Sequence, residues 1–205
     1  MSDLRRALAE IEAIRGQVAR ATQFRGYGPL TLAATGVLAG IAAVMQSLTL
    51  SDPAAQPAAY LRLWVGTAIL SLVLICLETT ARAQRAHASL TLPMLRSAAE
   101  DFLPAIAAGA LLTLVLARGP GALLWMLPGL WQVIFSLGVF SSCRRLPRPM
   151  LAAGLWYLAS GLILLARGDG PSALAPWAMG VPFGVGQVLV AAVLRFGYGQ
   201  AHENA

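Results

Sequence analysis

The sequence predicts an all-α membrane protein: a polytopic bundle of six transmembrane helices preceded by a cytoplasmic amphipathic helix. Of its 205 residues 58% are hydrophobic and only 12% are charged, whereas a soluble domain carries about 25% charged residues. The apolar residues also gather in six runs close to the length of a bilayer crossing, roughly 20 residues. These runs are residues 30–50, 60–77, 102–117, 122–143, 150–166 and 174–196.

The runs divide the chain into three parts. We expect residues 1–29 to form the amphipathic helix and an interfacial turn, residues 30–196 the transmembrane domain, and residues 197–205 a cytoplasmic tail. The first 25 residues contain several Arg and no apolar core of signal-peptide length, so no cleaved leader is expected.

The N-terminal segment has apolar residues at alternating spacings of three and four, which places them on one helical face. The residues of this face are Leu4, Ala7, Ile11, Ile14, Val18 and Ala21. One interpretation is a helix that lies under the bundle or on the lipid headgroups. The other is a docking surface, centred on Leu4, Ile11, Ile14 and Val18, for a second copy of the chain or a cytoplasmic protein. Gly16 weakens this helix by about 1 kcal/mol, so the segment depends on what it packs against.

The basic residues predict the orientation. All fifteen are Arg, and all but Arg62, Arg118 and Arg167 lie in the N-terminal segment, the second and fourth connections or the C-terminus. Basic residues near the ends of spans are retained in the cytoplasm, so both termini should be cytoplasmic. Arg without Lys, together with many Ala and Leu, favours a bacterial genome and hence the bacterial inner membrane. Arg spread over membrane-proximal connections suits anionic lipid, and we expect no nucleic-acid partner.

The even-numbered helices resemble one another. Helices 4 and 6 each begin with a Trp, continue with Pro and Gly, and then place a Gln in the membrane; helix 2 follows the pattern more loosely. The residues concerned are Pro128, Gly129 and Gln132 in helix 4, and Pro182, Gly184 and Gln187 in helix 6. The pattern predicts helix kinks at Pro128-Gly129 and near Pro182 and Gly184. It also favours three hairpins related by a weak internal repeat.

In helix 1, Gly36 and Gly40 have a spacing that allows a neighbouring backbone to come close. We therefore expect this helix to serve mainly in packing, and the small residues of the odd-numbered helices would also permit a homodimer.

Uncharged polar residues deep in the apolar runs are the candidate ligand site. Gln132, Gln187 and Ser136 lie there with Trp131, and could line a pocket between helices 2, 4 and 6 beside carbonyls freed by the prolines. Such residues can instead bond between helices and only hold the bundle together, at about 0.6 kcal/mol each. The absence of a charge at the middle of the membrane argues against a selective ion pump.

Other chemistry has little support in the sequence. Cys76, Glu78, His87 and Cys143 match no metal-binding spacing. Glu78, Glu100 and Asp101 fall at the membrane edge, where we expect them to pair with Arg. There is no Ser-His-Asp order, no His-Glu-x-x-His and no phosphate loop, so we predict neither an enzyme nor a cofactor.

Four segments carry a resemblance to known proteins: residues 24–29, 125–132, 141–150 and 176–187. They are similar to those of a group of bacterial six-span inner-membrane proteins described as conserved membrane proteins. The resemblance covers nearly the whole chain and implies the class of protein, but no functional residue.

Two functions are therefore expected as alternatives. The protein binds or passes a small neutral, weakly polar or lipid-like molecule through the pocket between helices 2, 4 and 6. Alternatively, it is a membrane-embedded sensor or adaptor that engages a cytoplasmic partner or a second copy through the N-terminal face and the basic connections.

Overall fold

A computed structural model describes residues 28–85, 91–119, 121–143, 149–170 and 172–203. Within these ranges all regular secondary structure is helical, which confirms the predicted all-α class. The helices are α1 Pro29–Thr49, α2 Pro57–Arg85, α3 Thr91–Arg118, a 3-10 helix Gly121–Met126, α4 Leu127–Ser142, α5 Met150–Arg167 and α6 Pro176–Glu203. The predicted amphipathic helix, with Leu4, Ile11, Ile14 and Val18, lies outside the described residues.

Five of these helices are long and apolar enough to cross a membrane. They are Pro29–Thr49, Pro57–Ala81, Leu123–Ser142, Met150–Arg167 and Pro176–Phe196. The apolar part of α3, Phe102–Arg118, is shorter and would reach about 25 Å at ~1.5 Å per residue. Large apolar side chains cover the outside of the bundle, with Leu30 and Leu48 each 80% exposed. Soluble proteins rarely show such a surface, whereas a multi-pass membrane protein faces lipid with it.

Proline and glycine set several helix boundaries. Pro29 and Pro128 lie in the first turns of α1 and α4, where the missing N–H would have had no partner within the helix. The α5 helix ends at Gly168, whose φ of 73° places it in the left-handed region that glycine adopts without strain.

The helices form a ring in which one pair of neighbours, α2 and α3, packs less extensively than the others. Going round the bundle, the order of neighbours is α2, α1, α6, α5, α4 and α3. The pairs α1/α6 and α4/α5 pack most extensively, while α2 and α3 make few contacts with each other. We call the α2/α3 boundary the open seam. We call the end at which α1 joins α2, α3 joins α4 and α5 joins α6 the hairpin end.

Aromatic residues fill much of the interior. Near the hairpin end Tyr60 and Trp64 of α2 pack with Met179 of α6, and Trp131 of α4 lies against them. Farther from that end, Phe135 of α4 stacks edge-on against three rings of neighbouring helices. Its ring centroid lies 5.5 Å from Phe102, 4.7 Å from Tyr157 and 5.5 Å from Phe183.

Candidate functional site

Gln132 links α4 to α6 at a carbonyl that the α6 helix leaves free. Its side chain is fully buried, at 0% exposed, and its Nε2 donates to the backbone oxygen of Ala178 at 2.8 Å. In a regular helix the N–H of residue 182 would bond to that oxygen, but Pro182 has none. Gln132 therefore supplies the donor that the proline removes.

The same contact fixes the orientation of the Gln132 amide. A backbone carbonyl can only accept a hydrogen bond, so the nitrogen of the amide must face Ala178. The other amide atom, Oε1, is buried and receives no hydrogen bond from the part of the chain that the structure describes. Buried acceptors are nearly always paired in native proteins, so this oxygen needs an explanation.

Gln187 and Tyr157 form a second buried polar group, between α6 and α5. The Tyr157 ring lies directly against Gly186, where a side chain would overlap it. Its hydroxyl and Gln187 Oε1 are both buried, and neither has a hydrogen-bond partner within the described ranges. Tyr157 was not among the predicted site residues, although a phenol in the apolar run 150–166 is a signal of the same kind as a glutamine.

Trp131 and Ser136 each donate their polar hydrogen to another atom of the protein. Trp131 Nε1 donates to Thr113 Oγ1 of α3 at 2.8 Å. The Ser136 hydroxyl is fully buried and donates to Val133 O, one turn back in its own helix, at 2.6 Å. Trp131 thus ties α4 to α3, and both side chains can border a ligand without donating to it.

The sequence prediction missed Gln46, a buried glutamine whose amide nitrogen and oxygen are both hydrogen-bonded. Gln46 is 0% exposed; its Nε2 donates to Leu174 O at 2.7 Å, and its Oε1 accepts from Trp64 Nε1 at 2.8 Å. It joins α1, α2 and the connection between α5 and α6. The available signal was a Gln in the apolar run 30–50.

Two of the helix crossings have the same construction. On α6, Gly184 and Gln187 face Gly36 of α1: a methyl group on Gly36 would lie 3.0 Å from Gly184 O and 3.1 Å from Gln187 Cβ. On α4, Gly129 and Gln132 face Gly161 of α5. A methyl group on Gly161 would lie 2.7 Å from Gly129 O and 3.0 Å from Gln132 Cβ. We call these the Gly-x-x-Gln crossings.

The predicted kink residues have different positions in the two crossings. Pro128 lies in the first turn of α4, where the 3-10 helix gives way to α-helix, whereas Pro182 lies inside α6. Gly129 and Gly184 are at the crossings themselves. Gly40 of α1 is open, with nothing within 4 Å of a methyl group built on it.

The remaining candidates for chemistry are scattered. Among the residues that the structure describes, no three His, Cys, Asp or Glu side chains come close enough to hold a metal ion, and His87 lies outside those residues. Cys76 is exposed, and Cys143 is partly buried with its Sγ 3.3 Å from Val139 O. Burial raises the pKa of the Cys143 thiol. The Glu78 carboxylate lies against Gly28, next to the start of α1.

Comparisons with known proteins found no matching family model, no matching curated protein and no matching solved structure. The class follows from the fold: a helical protein with several spans apolar enough to cross a membrane. Within the described ranges, the buried polar residues are all uncharged: Thr35, Gln46, Thr79, Gln132, Ser136, Ser142 and Gln187.

Proposed function

We propose that the protein binds, and passes within or across the membrane, a small neutral, weakly polar or lipid-like molecule. The site consists of Gln132 and Ser136 of α4, Tyr157 of α5 and Gln187 of α6, with Trp131 at its border. The observation that carries the proposal is the fully buried Gln132 Oε1 without a hydrogen-bond donor among the described residues. Leaving such an acceptor unpaired costs about 1–3 kcal/mol, which a bound molecule that donates to it would recover.

The absence of charge around the site supports a neutral ligand. None of the buried residues in the described ranges is Asp, Glu, Lys, Arg or His. An ion held among them would lose its hydration without meeting a partner of opposite charge. The proposal therefore assigns no ion-pumping role, and it needs no catalytic residue, metal or cofactor.

The packing of the even-numbered helices supports the location. Trp64 of α2, Trp131 of α4 and Met179 of α6 belong to one cluster, and Gln132 bonds directly from α4 to α6. The region between helices 2, 4 and 6 thus combines a buried polar group with aromatic side chains, and Tyr157 of α5 lies beside it.

Mass spectrometry of molecules that co-purify with the protein tests this function. The wild type, in nanodiscs, should carry a compound above the level found in empty nanodiscs. The variant Gln132→Met with Gln187→Met should lose it, whereas Gln46→Met should retain it because Gln46 is fully paired within the protein. A wild type that carries nothing above empty nanodiscs would refute the function.

The threading that this function assumes is six crossings of the bacterial inner membrane with both termini in the cytoplasm. The distribution of Arg supports it. The short span in α3 is the decisive one, because five crossings would leave the two termini on opposite sides. Fluorescent and periplasmic reporters fused in turn to each terminus should place both inside the cell; a C-terminal reporter active outside would exclude this threading.

An internal repeat of three hairpins, α1/α2, α3/α4 and α5/α6, accompanies this proposal. Its support is that the two equivalent boundaries between hairpins, α6/α1 and α4/α5, both carry a Gly-x-x-Gln crossing. The third boundary, α2/α3, is the open seam. Gly66 of α2 has nothing within 4 Å of a methyl group built on it.

The second candidate function is a sensor or adaptor, favoured by the apolar face of the N-terminal segment. Removing residues 1–20 should then abolish self-association or capture of a cytoplasmic partner while leaving the co-purifying compound in place. Light scattering on the full-length and truncated proteins measures the first effect. If the molar mass of the particle is the same with and without residues 1–20, this segment does not mediate a homodimer.

A further inference from the structure

We infer that the molecule bound at this site is a neutral hydrogen-bond donor, with an O–H or N–H group, and not an acceptor-only molecule or an anion. This inference deepens the proposed function and rests on it. It follows from which atoms of the site are still unpaired.

The Gln132 amide determines whether the site offers a ligand a hydrogen-bond donor or an acceptor. Its nitrogen is committed to Ala178 O at 2.8 Å, and that carbonyl has no alternative donor within its helix because residue 182 is proline. Turning the amide round would set two oxygens against each other. The atom left for a ligand is therefore Oε1, which can only accept.

Gln187 has the corresponding place in the second Gly-x-x-Gln crossing, and its Oε1 is also unpaired among the described residues. The neighbouring Tyr157 hydroxyl can donate or accept, so it can bond to Gln187 or to a ligand. Each crossing thus contains one buried amide oxygen that has no hydrogen-bond donor among the described residues.

The paired atoms argue against other ligand classes. An anion needs several donors, but Gln132 Nε2, Ser136 Oγ and Trp131 Nε1 already donate to protein oxygens. The Tyr157 hydroxyl is still without a partner among the described residues, and one hydroxyl is too few for an anion. A metal cation would find amide oxygens, but no carboxylate among the buried residues that the structure describes, and hard cations take at least six oxygen ligands. A neutral O–H or N–H donor needs only one acceptor, and Gln132 Oε1 and Gln187 Oε1 are both unpaired among the described residues.

Three probes of nearly equal size separate these classes: 1-octanol, heptyl methyl ether and octanoate. Octanol donates and accepts, the ether has the same number of heavy atoms and only accepts, and octanoate is an anion. Radiolabelled probes are equilibrated with the full-length protein in nanodiscs, and empty nanodiscs give the partition into lipid. We expect saturable binding of octanol about tenfold tighter than that of the ether, as one hydrogen bond provides, and no saturable binding of octanoate.

The variants locate the acceptor. Gln132→Met should reduce octanol to the affinity of the ether. Gln46→Met is the matched control, since it removes a buried glutamine whose two polar atoms are already paired, and it should retain the tenfold preference. If Gln132→Met does not fold, the comparison of octanol with the ether on the wild-type protein still tests the donor class. Gln187→Met then tests the second unpaired oxygen.

The outcomes distinguish this inference from the proposed function. Equal saturable binding of octanol and ether, or tightest binding of octanoate, would refute the donor class but keep a binding site. An octanol preference that survives in Gln132→Met would refute Gln132 as the acceptor. Failure of all three probes to saturate would count against the binding site itself.

Discussion

The buried glutamines differ in how much of each amide the protein itself uses. Gln46 has both its nitrogen and its oxygen paired, to Leu174 and Trp64. Gln132 has only its nitrogen paired. An amide used at both atoms is a structural link, whereas one with a free oxygen can also meet a ligand. Residue type and burial are the same in both cases, so only the hydrogen-bond partners distinguish the two side chains.

Gln46→Met should destabilise the protein by about 1–2 kcal/mol, because it leaves the Leu174 carbonyl and the Trp64 indole N–H without partners in a buried place. Unfolding by SDS titration in mixed micelles measures the loss. Ser47→Ala is the neighbouring control, since the exposed Ser47 hydroxyl bonds only to Val44 O of its own helix. Equal losses in the two variants would contradict the structural role of Gln46.

Alkylation of Cys143 should depend on pH in a way that an ordinary cysteine does not. Burial favours the neutral thiol and raises its pKa, so the reactive thiolate is scarcer at neutral pH than in a cysteine of pKa about 8.5. In a Cys76→Ser background, the rate with iodoacetamide should level off at a higher pH than the rate of a free cysteine does. Mass spectrometry from pH 7.5 to 10 follows it, with SDS-denatured protein as the reference; coincident profiles would show an ordinary thiol.

At the scale of the helices, the two Gly-x-x-Gln crossings hold the bundle by bringing backbones together. Gly161→Ala places a methyl group 2.7 Å from Gly129 O, and Gly36→Ala places one 3.0 Å from Gly184 O. Gly40→Ala meets nothing within 4 Å and gains up to about 1 kcal/mol of helix propensity. Thermal unfolding midpoints should therefore fall most for Gly161→Ala, less for Gly36→Ala, and stay or rise for Gly40→Ala. Any other order would contradict the crossings.

The helices themselves were largely predictable, because long apolar runs have few alternatives in a membrane. The ends of the helices were less predictable. The run 122–143 was predicted as one helix but begins with the 3-10 helix Gly121–Met126, and α4 starts at Leu127 so that Pro128 falls in its first turn. The α6 helix continues to Glu203, although residues 197–205 were predicted as a tail outside the transmembrane domain.

The site was predictable only in part. Gln132 and Gln187 stand out from the sequence because an amide in an apolar run is unusual. Tyr157, Thr113 and Gln46 join the polar contacts because of the direction in which each helix turns its face, and a uniformly apolar helix gives no period from which that direction can be read.

For the whole molecule, the outer surface of a membrane protein faces lipid instead of water. An exposed apolar side chain therefore contributes less to stability than one packed inside the bundle. Leu127→Ala, at a fully buried position, should cost about 2–4 kcal/mol through the cavity it leaves. Leu162→Ala removes the same atoms from a side chain that is 52% exposed, and should cost under about 1 kcal/mol. SDS titration compares the two, and comparable losses would mean that the outer face of α5 packs against protein.

The open seam also affects how the proposed binding would have to be measured. Helices α2 and α3 expose apolar side chains such as Ile69, Val73 and Ile106, so a ligand that enters between these helices would come from the acyl chains of the lipid. Its supply is then governed by mole fraction in the bilayer, not by molarity in the buffer. A compound that is scarce in water can be abundant in the lipid beside α2 and α3. An apparent dissociation constant titrated from solution will therefore change with the amount of lipid in the sample.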